Sequence, residues 1–366
     1  MRNRQLGLLR GCLCGHGHTI ELGGAATNRR RFIAGAAALA VVGSSHPRRV
    51  AAQVTDVTKP YRIDVHHHLS PPSYVAALAA THAVDPPMKN WTAEKSLEDM
   101  DKAGVAVAML SVTTPGLNFI AGEAARQLAR ECNDYAARLV ADHPGRFGRF
   151  AAVPLVDIDG SLNEIAYALD TLKADGIGMM TNYGDKWLGY PELAPVFEEL
   201  NRRKVVVYTH PMSPSCCVNV VKGVSDGTVE WGADTTRTIT NLIFSGASAR
   251  YKDITFIFSH GGGVLTAVAE RLRVQMVTVP PYLGKVTKEM VDHELKRFYY
   301  DTAQVSNEVT IQALAKLVPL SQIVFGTDFP YRTGIEHVTG LAARFNTKEL
   351  AAIERGNALR FLPAWR

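Results

Sequence analysis

Short apolar runs alternate with stretches of helical periodicity along the chain from residue 61 onward. The runs are continuously apolar rather than alternating, as expected for strands that are buried on both faces. Eight runs separated by helical stretches are the count of a (β/α)8 barrel. The predicted strands span residues 61–66, 105–111, 149–154, 176–182, 204–210, 254–260, 297–302 and 322–328.

The segments between the runs predict helices. In residues 161–174 the apolar positions form one stripe, and Ser161 and Glu164 stand at the spacing of a capping box, so we predict that this helix begins at Ser161. No glycine fingerprint follows the first strand, which makes an open doubly wound sheet the less favoured alternative. We therefore predict an α/β fold, a single-domain TIM barrel, over residues 53–366. Further helices are predicted over 92–104, 124–141, 191–203 and 347–362.

Residues 1–52 differ from the rest of the chain in charge. They hold eight of the 40 Lys and Arg residues and one of the 35 Asp and Glu residues, which leaves 32 basic and 34 acidic residues elsewhere. This near balance gives no reason to expect binding to nucleic acid or to an anionic membrane.

The same segment has the pattern of an export signal. Arginines at 29–31 are followed by Phe32 and by a weakly apolar run over 33–43, which is typical of a twin-arginine signal. The run is too short to span a bilayer, so stable membrane insertion is not expected, and an uncleaved membrane anchor is the less favoured alternative. We predict a leader over 1–52 and export to the periplasm by the twin-arginine machinery.

The first predicted strand leads into three consecutive histidines at positions 66–68. Strand side chains alternate between faces, so Asp64, His66 and His68 are predicted on one face, with Val65 and His67 on the other. Two imidazoles at positions i and i+2 can reach one metal ion from one strand. The pair alone is weak evidence, because an ordinary polar strand end has the same pattern.

Four predicted strands end at or next to a histidine or an aspartate. These residues are His66 and His68 at the first strand, His210 at the fifth, His260 at the sixth and Asp328 at the eighth. The chemistry of a (β/α)8 barrel lies at the C-terminal ends of its strands, so these side chains should meet at one mouth. Taken singly, each has a plainer explanation as a turn residue, the start of a glycine loop or a helix cap. Together, imidazoles and a carboxylate suit Zn²⁺ and also admit Mn²⁺ or Fe²⁺.

Around these residues the motifs IDVHHHLSPP, YTHP, FSHGGG and FGTDFP resemble the amidohydrolase superfamily. They are similar to its decarboxylase branch, typified by amino-carboxymuconate-semialdehyde decarboxylase. The segments EIAYALDTLKADGI and TNYGD look closer to 6-methylsalicylate decarboxylase. The resemblance extends over about residues 61–365.

The resemblance implies one divalent metal, with Zn²⁺ preferred and Mn²⁺ as the alternative. The implied ligands are His66, His68, His210 and Asp328, with His260 beside the metal as an acid–base or substrate-orienting group. The end of the fourth strand lacks the lysine that bridges two metals in other members, which favours one metal. Arg271 matches a family arginine that holds a carboxylate, although a surface salt bridge would explain it equally well.

The implied activity is non-oxidative decarboxylation of a small 2-hydroxybenzoate-like acid. Asp328 would protonate the ring carbon, which requires a raised carboxyl pKa, and His260 would bond the substrate hydroxyl or activate water. Asp301 could touch the substrate or only hold the loop after strand seven, and the structural role is preferred. Loops after the strands are expected to line the pocket through Thr113, Thr114, Asn182, Tyr183 and the segment 212–234.

Two other functions are compatible with the sequence. The same metal could serve a hydrolase of a lactone or other cyclic ester, with His260 and Asp328 as proton shuttles. A non-catalytic periplasmic metal-binding protein is the second alternative, although the long rim segments favour an enzyme with a pocket. A small aromatic acid is the expected partner, and a homodimer is an expectation carried over from the resemblance.

Overall fold

A computed structural model describes residues 60–366, and the predicted leader at 1–52 lies outside the described residues. Eight strands of this part pair in chain order as parallel neighbours. The prediction of a single-domain (β/α)8 barrel is confirmed. The strands are β1 Arg62–Leu69, β2 Val105–Val112, β3 Phe147–Ala152, β4 Gly176–Met180, β5 Val206–His210, β6 Thr255–Phe258, β7 Tyr299–Asp301 and β8 Ile323–Val324.

The barrel closes between its last and first strands. The N–H of Val65 donates to the carbonyl of Phe325 at 3.0 Å, and the N–H of Asp328 donates to the carbonyl of His66 at 2.8 Å. The regular part of β8 ends at Val324 and is shorter than the predicted strand 322–328, and the backbone enters the left-handed region at Asp328 with φ 64°. Closure thereby brings Asp328 beside the end of β1.

The interior of the barrel is filled with apolar side chains, and a larger apolar layer lies between the strands and the helices. Because the interior is packed, chemistry is confined to the mouth formed by the strand ends. The buried interior residues are Ile63, Val65, Val107, Met109, Phe150, Val206, Tyr208, Ile257, Tyr299 and Val324.

The α-helices surround the strands, and three of them continue into π-helical turns at Tyr167–Thr171, Arg271–Gln275 and Ala352–Gly356. No helix within residues 60–366 is long and apolar enough to cross a bilayer. The helices are α1 Pro72–Ala79, α2 Pro86–Lys89, α3 Ala93–Ala103, α4 Gly122–Asp142, α5 Ile158–Ala166, α6 Ala194–Arg203, α7 Glu230–Phe244, α8 Ala247–Arg250, α9 Leu265–Glu270, α10 Lys288–Arg297, α11 Glu308–Leu317, α12 Gly334–Ala342 and α13 Thr347–Ala351.

The predicted start of the helix after β3 is wrong. The N-cap of α5 is Asp157, whose carboxylate accepts a hydrogen bond from the N–H of Gly160 at 3.0 Å. Ser161 is buried within the helix, and its hydroxyl has no hydrogen-bond partner there. Glu164 accepts hydrogen bonds from α4 instead of closing a capping box. Aspartate is a strong N-cap residue, so the helix begins one turn earlier than the Ser161 pattern indicated.

Candidate active site and metal centre

Five side chains that lie far apart in the sequence meet at the C-terminal mouth of the barrel. The Nε2 atoms of His66 and His68 are 3.1 Å apart, and each lies 3.1 Å from Oδ1 of Asp328. Ligand atoms of His66, His210, His260 and Asp328 all lie within 4.8 Å of one another. The structure therefore brings all five predicted residues together. The compact group of four contains His260 rather than His68, so His260 is a candidate ligand as well.

A β-bulge in β1 aims the paired histidines at the mouth. The register against β2 shifts between Asp64 and His67, which restarts the alternation of side chains. His66 and His68 face the cluster, whereas Asp64 Oδ2 lies 3.0 Å from Nδ1 of His67. The prediction that Asp64 shares a face with His66 and His68 is therefore wrong. His67 continues this second network to the hydroxyl of Ser96 at 3.0 Å.

Each histidine of the cluster has an oxygen beside its Nδ1 atom. An N–H at Nδ1 that donates to this oxygen leaves the lone pair of Nε2 free, which is the usual arrangement of metal-binding histidines. Nε2 of His210 is buried without a hydrogen-bond partner among the described residues, which fits a cation ligand. The oxygens are Asp301 Oδ2 for His66 at 2.8 Å, Ser111 O for His68 at 3.2 Å, Thr114 Oγ1 for His210 at 3.0 Å and Ala303 O for His260 at 3.2 Å.

The charges of the cluster are strongly coupled. Burial opposes the charge on His66, but Asp301 and Asp328 raise its pKa to about 10. Burial also opposes ionisation of Asp328, but the charge of His66 and hydrogen bonds from both histidines of β1 hold its pKa well below the ordinary value. Burial and the neighbouring imidazoles lower the pKa of His210. In the metal-free protein the pKa of Asp328 is therefore lowered, and the raised pKa expected for the reaction step stays a prediction.

The backbone is strained at the cluster. His260 has φ 53°, Gln304 has φ 59° and Asp328 has φ 64°, and these are three of the six non-glycine residues with positive φ in residues 60–366. Such conformations persist only where the surrounding structure holds them, and they concentrate at functional sites. The glycine loop after His260 is also tightly packed, because a Cβ atom on Gly263 would lie 2.0 Å from the carbonyl oxygen of Gly232.

The other predicted substrate-binding residues lie at different places. Arg271 is exposed, and its guanidinium donates to Oε1 of Gln275 at 3.2 Å. This hydrogen bond lies at the surface of the described part of the chain. Asp301 contacts His66 and the backbone N–H of His260, which places it behind the cluster. The carbonyl of Thr113 accepts a hydrogen bond from the Tyr74 hydroxyl at 3.2 Å.

Asn182 and Tyr183 belong to the rim of the barrel. The amide of Asn182 donates to Oδ2 of Asp234 at 2.7 Å, and Asp234 also accepts the indole N–H of Trp187 at 2.6 Å. The hydroxyl of Tyr183 accepts the N–H of Met180 at 2.9 Å, and its ring lines a cavity of about 490 Å³. Asp234, at the end of the predicted 212–234 segment, lies in α7, so these hydrogen bonds tie the loop after β4 to that helix.

The sequence reasoning missed two residues next to the cluster, exposed Gln304 and buried His337. Gln304 donates through Nε2 to Oδ2 of Asp328, and its own N–H donates to Nε2 of His337 at 2.9 Å. Neither residue ends a predicted strand or belongs to a recognised motif. The sequence shows only that Gln304 follows Asp301 by three positions, and this spacing does not identify Gln304 as a site residue.

Comparison with known proteins agrees with this geometry. The profile of a family described as Amidohydrolase matches residues 63–364. The 6-methylsalicylic acid decarboxylase acuB of Aspergillus aculeatus is 37% identical over 322 residues, which span 82% of this chain and 96% of that protein. The 6-methylsalicylic acid decarboxylase of Penicillium expansum is 35% identical over 276 residues, covering 74% of this chain and 85% of that protein.

Solved structures share the fold. A dihydroxybenzoic acid decarboxylase from Polaromonas, with bound manganese and the inhibitor 2-nitroresorcinol, matches with a TM-score of 0.73 and 22% identity, over 83% of this chain and 97% of that chain. A 2,6-dihydroxybenzoate decarboxylase in complex with 2,6-dihydroxybenzoate also has a TM-score of 0.73, with 23% identity, over 82% and 99% of the two chains. The chain belongs to the amidohydrolase family, and the relatives named above are decarboxylases.

Proposed function

We propose that the protein is a metal-dependent, non-oxidative decarboxylase of a 2-hydroxybenzoate-type acid, releasing CO₂ and placing a proton on the ring carbon. The observation that carries this proposal is the convergence of four Nδ1-bonded histidines and the carboxylate of Asp328 at one mouth. It is supported by the 37% identity to a 6-methylsalicylic acid decarboxylase over nearly that whole protein.

One divalent cation would be held by His66, His68, His210 and Asp328, with His260 within reach of the same position. Zn²⁺ and Mn²⁺ both suit this set of nitrogen and oxygen ligands. Manganese is the metal bound in the Polaromonas structure. When bound, the cation supplies Lewis acidity and orients the oxygens of the substrate.

Asp328 is proposed to move the proton. It is a carboxylate before the acid binds, since His66 holds its pKa low, and it is proposed to take the proton of the phenolic hydroxyl, whose acidity a bound cation would raise. The phenolate pushes electron density into the ring, and Asp328 returns the same proton to the ring carbon as the bond to the carboxylate breaks. CO₂ leaves, and water reprotonates the product phenolate. His260 is proposed to orient the hydroxyl.

The test is an activity screen of the metal-loaded protein. Purified protein is loaded with Mn²⁺ or Zn²⁺ and incubated with salicylate, 6-methylsalicylate and 2,6-dihydroxybenzoate, and CO₂ is measured. We expect release from at least one acid, with one deuterium at the vacated ring carbon in D₂O. Asp328→Asn should abolish release, whereas Asp170→Asn, at a surface ion pair with Arg203, should not. Full metal loading without CO₂ release, combined with lactone hydrolysis, would replace this proposal by the hydrolase alternative.

We also propose that residues 1–52 direct export by the twin-arginine pathway. The support is the run of arginines at 29–31 before the weakly apolar segment. A reporter fused after residue 52 should reach the periplasm, and replacement of Arg30 and Arg31 by lysine should retain it in the cytoplasm. Export that is unaffected by the lysine replacements would contradict the proposal.

A further inference from the structure

The turn that follows β7, residues 301–304, lies directly behind the cluster. Oδ2 of Asp301 is 2.8 Å from Nδ1 of His66, and Oδ1 of Asp301 accepts the backbone N–H of His260 at 2.8 Å. The turn ends at Gln304, which reaches a further cluster residue. Several cluster residues are therefore oriented by one short segment of chain.

Gln304 divides the two oxygens of Asp328 between two roles. Its Nε2 amide donates to Oδ2, while Oδ1 lies 3.1 Å from the Nε2 atoms of both His66 and His68. A carboxylate without such a partner can rotate about its Cβ–Cγ bond and exchange its oxygens. The amide of Gln304 opposes this rotation and keeps Oδ1 turned toward the histidines.

His337 holds Gln304 in the required conformation. The backbone of Gln304 is left-handed, with φ 59°, which is unfavourable for a residue with a side chain. Its N–H donates to Nε2 of His337 at 2.9 Å, and Nδ1 of His337 lies 2.9 Å from the carbonyl of Thr333. The hydrogen bonds assign the proton of the imidazole to Nδ1 and leave Nε2 as an acceptor. His337 is fully buried in α12, so its ring is held in place.

We propose that Gln304 is a positioning residue for Asp328 and that His337 acts through Gln304 by fixing its backbone. The inference rests on the proposed role of Asp328 in decarboxylation. Partners behind the ligands of a metal typically change metal affinity or activity by about 10- to 100-fold when removed. We expect losses of this size from removing the amide of Gln304, which contacts Asp328 and is not itself one of the candidate ligands.

The first experiment distinguishes the effect of the Gln304 amide from the effect of its left-handed backbone. Gln304→Met keeps the length of the side chain without the amide, and Gln304→Gly relieves the left-handed backbone while also removing the amide. We expect both variants to lose about 10- to 100-fold in kcat at saturating Mn²⁺ or in Mn²⁺ affinity, with KM for the acid nearly unchanged. Full kcat and Mn²⁺ affinity in Gln304→Gly would overturn the role of the amide.

The second experiment uses a matched pair at His337. The side-chain oxygen of His337→Gln can reach the place of Nε2, whereas the shorter side chain of His337→Asn cannot. We expect His337→Gln to keep kcat and Mn²⁺ affinity near the wild-type values. We expect His337→Asn to show the same losses as Gln304→Met. The double variant Gln304→Met with His337→Asn should be no worse than Gln304→Met alone, because both act on one contact. Equal losses in the matched pair, or additive losses in the double variant, would contradict action through Gln304.

The two readouts distinguish this inference from the proposed function. Wild-type protein that releases no CO₂ would end the decarboxylase proposal, but Mn²⁺ affinity measured by calorimetry would still test Gln304 and His337. The positioning role would be supported if Gln304→Met and His337→Asn lose Mn²⁺ affinity to a similar extent while His337→Gln keeps the wild-type affinity. An active wild type with an unchanged Gln304→Met variant in both readouts would end the positioning role alone.

Discussion

Oδ2 of Asp301 lies 2.8 Å from Nδ1 of His66, although 235 positions separate the two residues. Both side chains are fully buried. An N–H on Nδ1 that donates to this carboxylate leaves Nε2 of His66 turned toward His68 and Asp328. A carboxylate in this place orients a metal-binding imidazole and increases its basicity.

Replacing Asp301 by asparagine should therefore weaken metal binding. The amide keeps the size of the side chain but removes the charge that holds His66, so we expect Mn²⁺ affinity to fall about 10- to 100-fold. Calorimetric titration of the metal-free protein measures this change. Asp170→Asn, which removes a surface carboxylate, is the control and should bind as the wild type does. Wild-type affinity in Asp301→Asn would show that the contact with His66 is dispensable.

Metal binding should become more stabilising as the pH rises. Burial opposes the charge on His66, but Asp301 and Asp328 raise its pKa to about 10, above the ordinary value of 6.5. Protonated His66 therefore stabilises the metal-free fold fully below about pH 6.5, and this contribution is lost as the pH rises toward 10. A cation must displace the same proton, so its binding strengthens over this window.

The measurement is the difference in Tm between Mn²⁺-loaded and EDTA-treated protein across this pH window. We expect the difference to grow with pH, since the metal-free protein loses stability while the loaded protein does not depend on that proton. Asp301→Asn should flatten the dependence, because it removes one of the two carboxylates that raise the pKa of His66. A difference that is constant with pH in the wild type would exclude this competition.

The network on the other side of β1 should contribute to stability rather than to metal binding. His67 joins the carboxylate of Asp64 to the hydroxyl of Ser96, and all three are buried. His67→Leu would leave two buried polar groups without this partner, so we expect a loss of about 1–3 kcal/mol in the free energy of unfolding. Urea denaturation measures the loss, with exposed His82→Leu as the control. Metal stoichiometry should stay unchanged, and its loss would argue against separate networks.

The start of α5 offers a direct comparison of two capping residues. Asp157→Ala removes the acceptor for the N–H of Gly160 and should cost about 0.5–2 kcal/mol. Ser161→Ala should cost nothing, because the buried hydroxyl of Ser161 has no hydrogen-bond partner in the described part of the chain. Thermal unfolding of the two variants ranks them. The opposite ranking would restore the capping box that the sequence pattern indicated.

By itself the sequence determined the class of fold and the group of residues at its mouth. Continuous apolar runs alternating with helical stretches are local patterns, and they report strands buried on both faces whatever the paths of the loops. Once the strands form a barrel, the end of each one opens on the same mouth. This is why His66, His210, His260 and Asp328 could be grouped from residues spread over most of the chain.

Only the tertiary structure decided which groups stand behind that mouth. The bulge that turns Asp64 toward His67 depends on pairing with β2, so no alternation within β1 could reveal it. Gln304 contacts Asp328 because a left-handed turn is held by His337, on a helix that begins 30 positions later, at Gly334. Local periodicity describes how each segment folds, whereas hydrogen bonds between distant segments depend on where packing places the loops.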